Sequence, residues 1–106
     1  MKRAIAPKVH LFVCANDRSA DSPLGTGCRE RGEALYNALK EEVAKRRDYS
    51  SVWVTKTHCL GICPKAGATV AIYPAGVVLK EVQANDATAL YDECLRQGAF
   101  ADVERD

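Results

Sequence analysis

Apolar residues along this chain follow two rhythms, one of period two and one of three to four, and the rhythms alternate in blocks. Residues 9–14 (VHLFVC) are β-branched, aromatic and apolar, and predict a strand. From Cys28 the rhythm changes. Ala34, Leu35, Ala38, Leu39 and Val43 recur at spacings of one, three and four, which predicts a helix with one apolar stripe. Lys45, Arg46 and Arg47 follow, where cations suit the negative end of a helix dipole. Residues 51–57 (SVWVTKT) alternate as a half-buried strand does. Residues 69–73 and 77–82 predict two more strands, joined through Pro74, Ala75 and Gly76 by hairpin chemistry. Asn85 or Asp86 is placed to cap a last helix running to about Gln97. Its stripe is Ala87, Leu90, Tyr91, Cys94 and Leu95, and Gly98 suits its C-terminus. Two loops separate these blocks. Residues 15–27 are rich in Asp, Ser, Pro and Gly, and residues 58–68 hold two Gly, one Pro and two Cys.

The element order is βαβ followed by ββα, an α/β architecture with a mixed sheet flanked by helices. One domain is expected across residues 1–106, with a core over about 8–97 and polar termini. Composition adds limits to this picture. A chain of 106 residues with 47% hydrophobic content has enough apolar surface for one core. A domain of that size buries roughly 60–70% of its unfolded surface. It needs no metal staple to fold, so a metal would serve function.

Net charge is +1, from 15 basic and 14 acidic residues, which exerts no global pull on nucleic acid or an anionic membrane. No basic stripe with interleaved aromatics appears, and no run approaches the ~18 apolar residues of a membrane span. The basic start is interrupted by Pro7, Lys8 and His10 before it reaches signal-peptide length. A cytoplasmic protein is expected, with neither nucleic acid nor membrane as partner. Its five cysteines are then better suited to metal or redox chemistry than to disulfides.

The topology gives four of them a meeting place. In a βαβ unit the two strands run parallel, so both end at the same edge of the sheet. Cys14 closes the first strand, and Cys59 lies just past the second. The helix between them starts at that edge, with Cys28 at its start, and Cys63 follows Cys59 by one short loop. A helix N-terminus favours thiolate over thiol, which suits Cys28 as a ligand. Gly25, Gly27, Gly61 and Gly67 flank these positions and allow backbone N–H groups to approach sulfur.

Cys94, inside an apolar stripe, reads as core packing. His58 could take the place of a thiolate, but with four cysteines at hand it reads as a neighbour of the ligands. Arg18, Arg29, Lys56 and Lys65 could steer an acidic partner or be ordinary solvated charge. Phe12 and Trp53 read as core rather than as electron relays. Four cysteines at one edge suit an iron–sulfur cluster or a tetrahedral zinc ion, although zinc ribbons favour Cys-x2-Cys knuckles and none occurs. A thiol–disulfide protein would want Cys-x-x-Cys at a helix start, which Cys28 lacks.

The segments HLFVCAN, GTGCRERG and THCLGICPKAGATVAIYPAGVVLKEV together resemble the thioredoxin-like 2Fe–2S ferredoxins of bacteria. The likeness covers roughly residues 8–97. It implies a thioredoxin-like fold, one 2Fe–2S cluster per chain on Cys14, Cys28, Cys59 and Cys63, one-electron transfer to redox partner proteins without catalytic turnover, and a homodimer. The 13 residues between Cys14 and Cys28 suit the free carrier. Related subunits of NADH dehydrogenases and hydrogenases usually have a shorter first spacing.

Overall fold

Alternation in VHLFVC sends Val9, Leu11 and Val13 to one side of the first strand, where they are buried, and leaves His10 and Phe12 half-exposed on the other. The computed structural model describes residues 1–15, 29–58 and 67–96. Among these, the elements are β1 (Val9–Cys14), α1 (Arg29–Arg46), β2 (Val52–Thr57), β3 (Ala68–Tyr73), β4 (Val77–Val82), a single 3-10 turn (Ala84–Asp86) and α2 (Ala87–Leu95). The βαβ–ββα order expected from the sequence is the order found. The loop 15–27 beyond Ala15, and the segment 59–66, lie outside the described residues, as do Gln97 and Gly98.

The four strands form one mixed sheet in the order β2-β1-β3-β4. β1 and β2 are parallel, in a register that pairs Val9 with Val52 and Cys14 with Thr57. β3 is antiparallel to β1, and β4 antiparallel to β3. Gly76 in the hairpin has φ +70°, and its N–H donates to Ile72 O at 2.8 Å.

The core lies on one face of this sheet. Leu35, Leu39 and Val43 of α1 and Leu90 and Tyr91 of α2 meet Val9, Leu11, Val13, Val52, Val54, Val70 and Ile72 there. The stripe read for α1 holds at Leu35, Leu39 and Val43, with Ala38 half-buried, but Ala34 is exposed. In α2, Ala87, Leu90 and Tyr91 are buried, while Leu95 is 51% exposed. Among the described residues, the opposite face carries no helix. His10 and Phe12 stack there with centroids 4.0 Å apart, and Trp53 and Tyr73 meet them edge-on. Expecting Phe12 and Trp53 in the core was therefore wrong. Strand alternation puts them on the side that the helices do not cover, and Trp53 is 38% exposed.

Both helix ends depart from the simplest reading. α1 stops with Arg47 at φ +56°, its N–H bonded to Ala44 O and that of Asp48 to Val43 O. This is the bond pair of a Schellman cap, with arginine where glycine is usual. Asp86 directly precedes α2, but its carboxylate accepts a hydrogen bond from Gln83 N at 2.8 Å and so closes the 3-10 turn instead.

Sequence reasoning passed over Glu42, which is buried between the helices. It accepts a bond from Thr88 Oγ1 at 2.6 Å and pairs with Arg46 at 3.2 Å. Arg46 also pairs with Asp92 at 2.7 Å and lies over the Tyr91 ring. The Thr88 bond, with help from Arg46 and Lys45, holds the Glu42 carboxyl below its usual range against the opposing effect of burial. A depressed carboxylate stabilises the fold above its unfolded-state pKa, near 4.5, and loses that contribution as pH falls through its folded-state value. Thr88→Val is therefore expected to weaken the acid dependence of the melting temperature below pH 4.5, as calorimetry across that range would measure.

Candidate metal centre

Four ends of described chain meet at one end of the sheet. β1 and β2 run in parallel register, so Ala15 and His58 leave it side by side. Ala15 N donates to Thr57 O at 3.0 Å, and Cys14 Sγ donates to His58 O at 3.0 Å. β3 is antiparallel to β1, so Gly67, just before it, stands at the same end. α1 returns there too, because a Cβ built on Gly32, in its first turn, would lie 1.9 Å from Cys14 O. Only glycine lets helix and strand come so close.

The two return points are tied as the two exits are. Arg31 Nε donates to Gly67 O at 2.6 Å. Gly67 is buried with φ +67°, and a Cβ on it would lie 2.6 Å from the Glu81 carbonyl carbon. Glu81 itself has φ +60°, and the β3–β4 register slips between Ala68 and Val70. The glycine thus seats against an irregular stretch of β4, in a conformation that other residues rarely adopt.

Of the four cysteines expected as ligands, Cys14 is described, and it is fully buried at the end of β1. Cys28 lies outside the described residues, one peptide bond before Arg29, which opens α1. Cys59 also lies outside them, directly after His58, and Cys63 sits in sequence between His58 and Gly67. The structure therefore brings together the chain ends that flank all four, and the side chain of one.

His58 is exposed, and its backbone carbonyl, rather than its ring, is what Cys14 contacts. Lys56 Nζ lies 5.0 Å from the centre of the Tyr36 ring on α1. Arg18 and Lys65 lie outside the described residues, as does the side chain of Arg29. Of the flanking glycines, Gly25, Gly27 and Gly61 lie outside as well.

Cys94 stands apart. It is half-buried against the core and lines a shallow cleft with Lys8, Val9, Ile72 and Tyr73. Those residues begin β1 and end β3, so the cleft is at the opposite end of the sheet from Cys14. Cys14 is five steps along β1 from Val9, a span of roughly 17 Å at ~3.3 Å per residue. Burial, helped by the charge of Glu93, pushes the Cys94 thiol up to about 12, which makes it a poor source of thiolate. Its expected role in packing holds.

Gly32 and Arg31 were missed from sequence, although each carried a signal. Glycine inside a helical pattern costs about 1 kcal/mol relative to alanine and calls for a packing reason. An arginine in a helix's first turn has the wrong sign for the dipole, so its reason is tertiary as well.

The site fits a thiolate-ligated metal group. A buried sulfur, a helix start and a glycine-floored approach converge where three more thiols enter in sequence. No family model matches the chain. It is 31% identical over 94 residues to a 2Fe–2S ferredoxin of Clostridium pasteurianum, covering 89% of this chain and 91% of that protein. To a 2Fe–2S ferredoxin of Aquifex aeolicus (strain VF5) it is 30% identical over 91 residues, covering 84% and 80%. The crystal structure of the wild-type thioredoxin-like [2Fe-2S] ferredoxin from Aquifex aeolicus matches with a TM-score of 0.72 at 28% identity, over 83% of this chain and 85% of that one.

Proposed function

The chain belongs to the 2Fe–2S ferredoxins of thioredoxin-like fold, and on that footing we propose that it carries single electrons on one cluster held by Cys14, Cys28, Cys59 and Cys63. The observation behind the ligand set is the meeting of Ala15, Arg29, His58 and Gly67 at one end of the sheet, since the first three adjoin Cys14, Cys28 and Cys59 in sequence and Cys63 lies between His58 and Gly67. When bound, a 2Fe–2S cluster takes up and returns one electron. The chain supplies the sulfurs, keeps Cys14 from water and fixes the spacing of the segments that bear the rest. Cys14, whose thiol donates to His58 O, would hold the group through its sulfur.

Redox partner proteins, rather than a turned-over substrate, follow from a carrier's role, and the family resemblance adds a homodimer. Among the described residues, no helix is long and apolar enough to cross a membrane. A cytoplasmic setting suits ligands that must stay reduced before loading.

Purified protein is expected to be brown, with about two irons and two acid-labile sulfides per chain. Cys94→Ala should leave its visible spectrum unchanged. A colourless protein holding one equivalent of zinc and no iron would overturn the proposal.

A further inference from the structure

We propose that Arg31 is a positioning residue for the cluster. It clamps the two ligand-bearing segments where they return to the fold and sets a permanent positive charge beside the site. The inference rests on the ferredoxin reading above. The segments 16–28 and 59–66 between them hold Cys28, Cys59 and Cys63. Their departures are held by β1–β2 pairing and by the Cys14–His58 contact. No strand pairing joins their returns, because one enters a helix and the other a strand. Arg31 supplies that join through its Nε–H bond to Gly67 O, a charge-assisted bond of 2.6 Å between residues 36 apart in sequence.

Both ends of the bond are firmly seated. Arg31 neighbours Gly32, which is packed on Cys14 O, and Gly67 is wedged against Glu81 of β4. The Arg31 end cannot drift without disturbing Cys14 at the end of β1, nor the Gly67 end without disturbing β4. The arginine's position also carries an electrostatic consequence. A one-electron reduction adds negative charge to the cluster, and a fixed guanidinium nearby favours the reduced form. Arg31 thus has two separable roles, a mechanical one that retains the cluster and an electrostatic one that raises its potential.

Two substitutions separate them. Arg31→Gln keeps an N–H donor at the ε position and removes the charge. Arg31→Met keeps the length and removes both. In Arg31→Gln the oxidised form should gain about tenfold at equilibrium, which is ~59 mV toward negative potential for one electron. Its rate of cluster loss to a chelator should stay within about threefold of the unsubstituted protein. Arg31→Met should show the same redox shift and lose its cluster about tenfold faster.

Protein-film voltammetry reads the first quantity, and bleaching of visible absorption in excess chelator the second. Two loaded variants with the potential and loss rate of the unsubstituted protein would overturn the inference. So would a lower melting temperature with potential unmoved, which is the mark of a purely structural arginine. If Arg31→Met does not fold, Arg31→Gln decides, and an unchanged potential there defeats the electrostatic role. Absence of iron and sulfide from the unsubstituted protein would instead overturn the ferredoxin reading, and this inference with it.

Discussion

Cys14→Ala is expected to leave a folded protein that cannot keep its cluster. The sulfur is fully buried, yet trimming it removes a single heavy atom and costs on the order of 1 kcal/mol of burial. A domain with about 5–15 kcal/mol of stability absorbs that loss. The His58 carbonyl loses its thiol donor but stays within 3.4 Å of Thr57 Oγ1. The cluster has no such reserve. Even groups that only support metal ligands cost roughly 10–100-fold in affinity when removed, so loss of a ligand should exceed that range. Far-UV circular dichroism should match that of the unsubstituted protein, while iron and sulfide per chain fall by more than tenfold. Cys94→Ala, the paired control, should lose neither. If Cys94 proved essential for the cluster and Cys14 dispensable, the ligand assignment would fail.

Gly32→Ala reverses a familiar sign. Inside a helix this change usually stabilises by about 1 kcal/mol, through backbone entropy. Here the new methyl would lie 1.9 Å from Cys14 O and 2.9 Å from the carbonyl carbon, and both are backbone atoms at the end of a central strand. No flexible side chain is available to yield, so α1 must lift from β1. Overpacking of this kind costs about 1–3 kcal/mol and occasionally more, and the rigidity of the two partners puts this case at the upper end. Against the propensity gain, a net loss of about 2 kcal/mol remains, or roughly 8–16 °C in melting temperature for a domain of this size. The same displacement moves the start of α1, so cluster retention should fall as well. Calorimetry of the apo-protein and chelator bleaching of the loaded protein measure the two effects separately. A rise in melting temperature would show that α1 does not sit where the structure places it.

Much of the fold was legible in the chain because local rules and the tertiary arrangement agree. The strands at 9–14 and 77–82 have the expected ends. Each is bounded by residues that end a strand for their own reasons, such as the Pro74–Gly76 turn. α1 was legible at Leu35, Leu39 and Val43, whose spacing fixes the face that turns to the sheet. Less visible were decisions made by a neighbour distant in sequence. Nothing near Phe12 or Trp53 says whether a second layer covers them. Alternation distinguishes two faces of a sheet, but it does not say which face the helices take. Glu42 reads as a surface charge until Thr88, 46 residues away, is seen to meet it.

The cysteines divide in the same way. Sequence by itself put Cys14, Cys28 and Cys59 next to expected element ends, with Cys63 one short loop further on, and the parallel strands of a βαβ unit oblige those ends to share one edge. It also determined that Cys94 is separate, because a helical stripe is a packing face. The tertiary structure alone decided how tightly that edge is drawn together: Gly32 against Cys14 O, and Arg31 across to Gly67 O. Connectivity sets which chain ends meet and is written residue by residue along the chain. The closeness of their approach depends on atoms of two segments at once, and no local pattern in either one contains it.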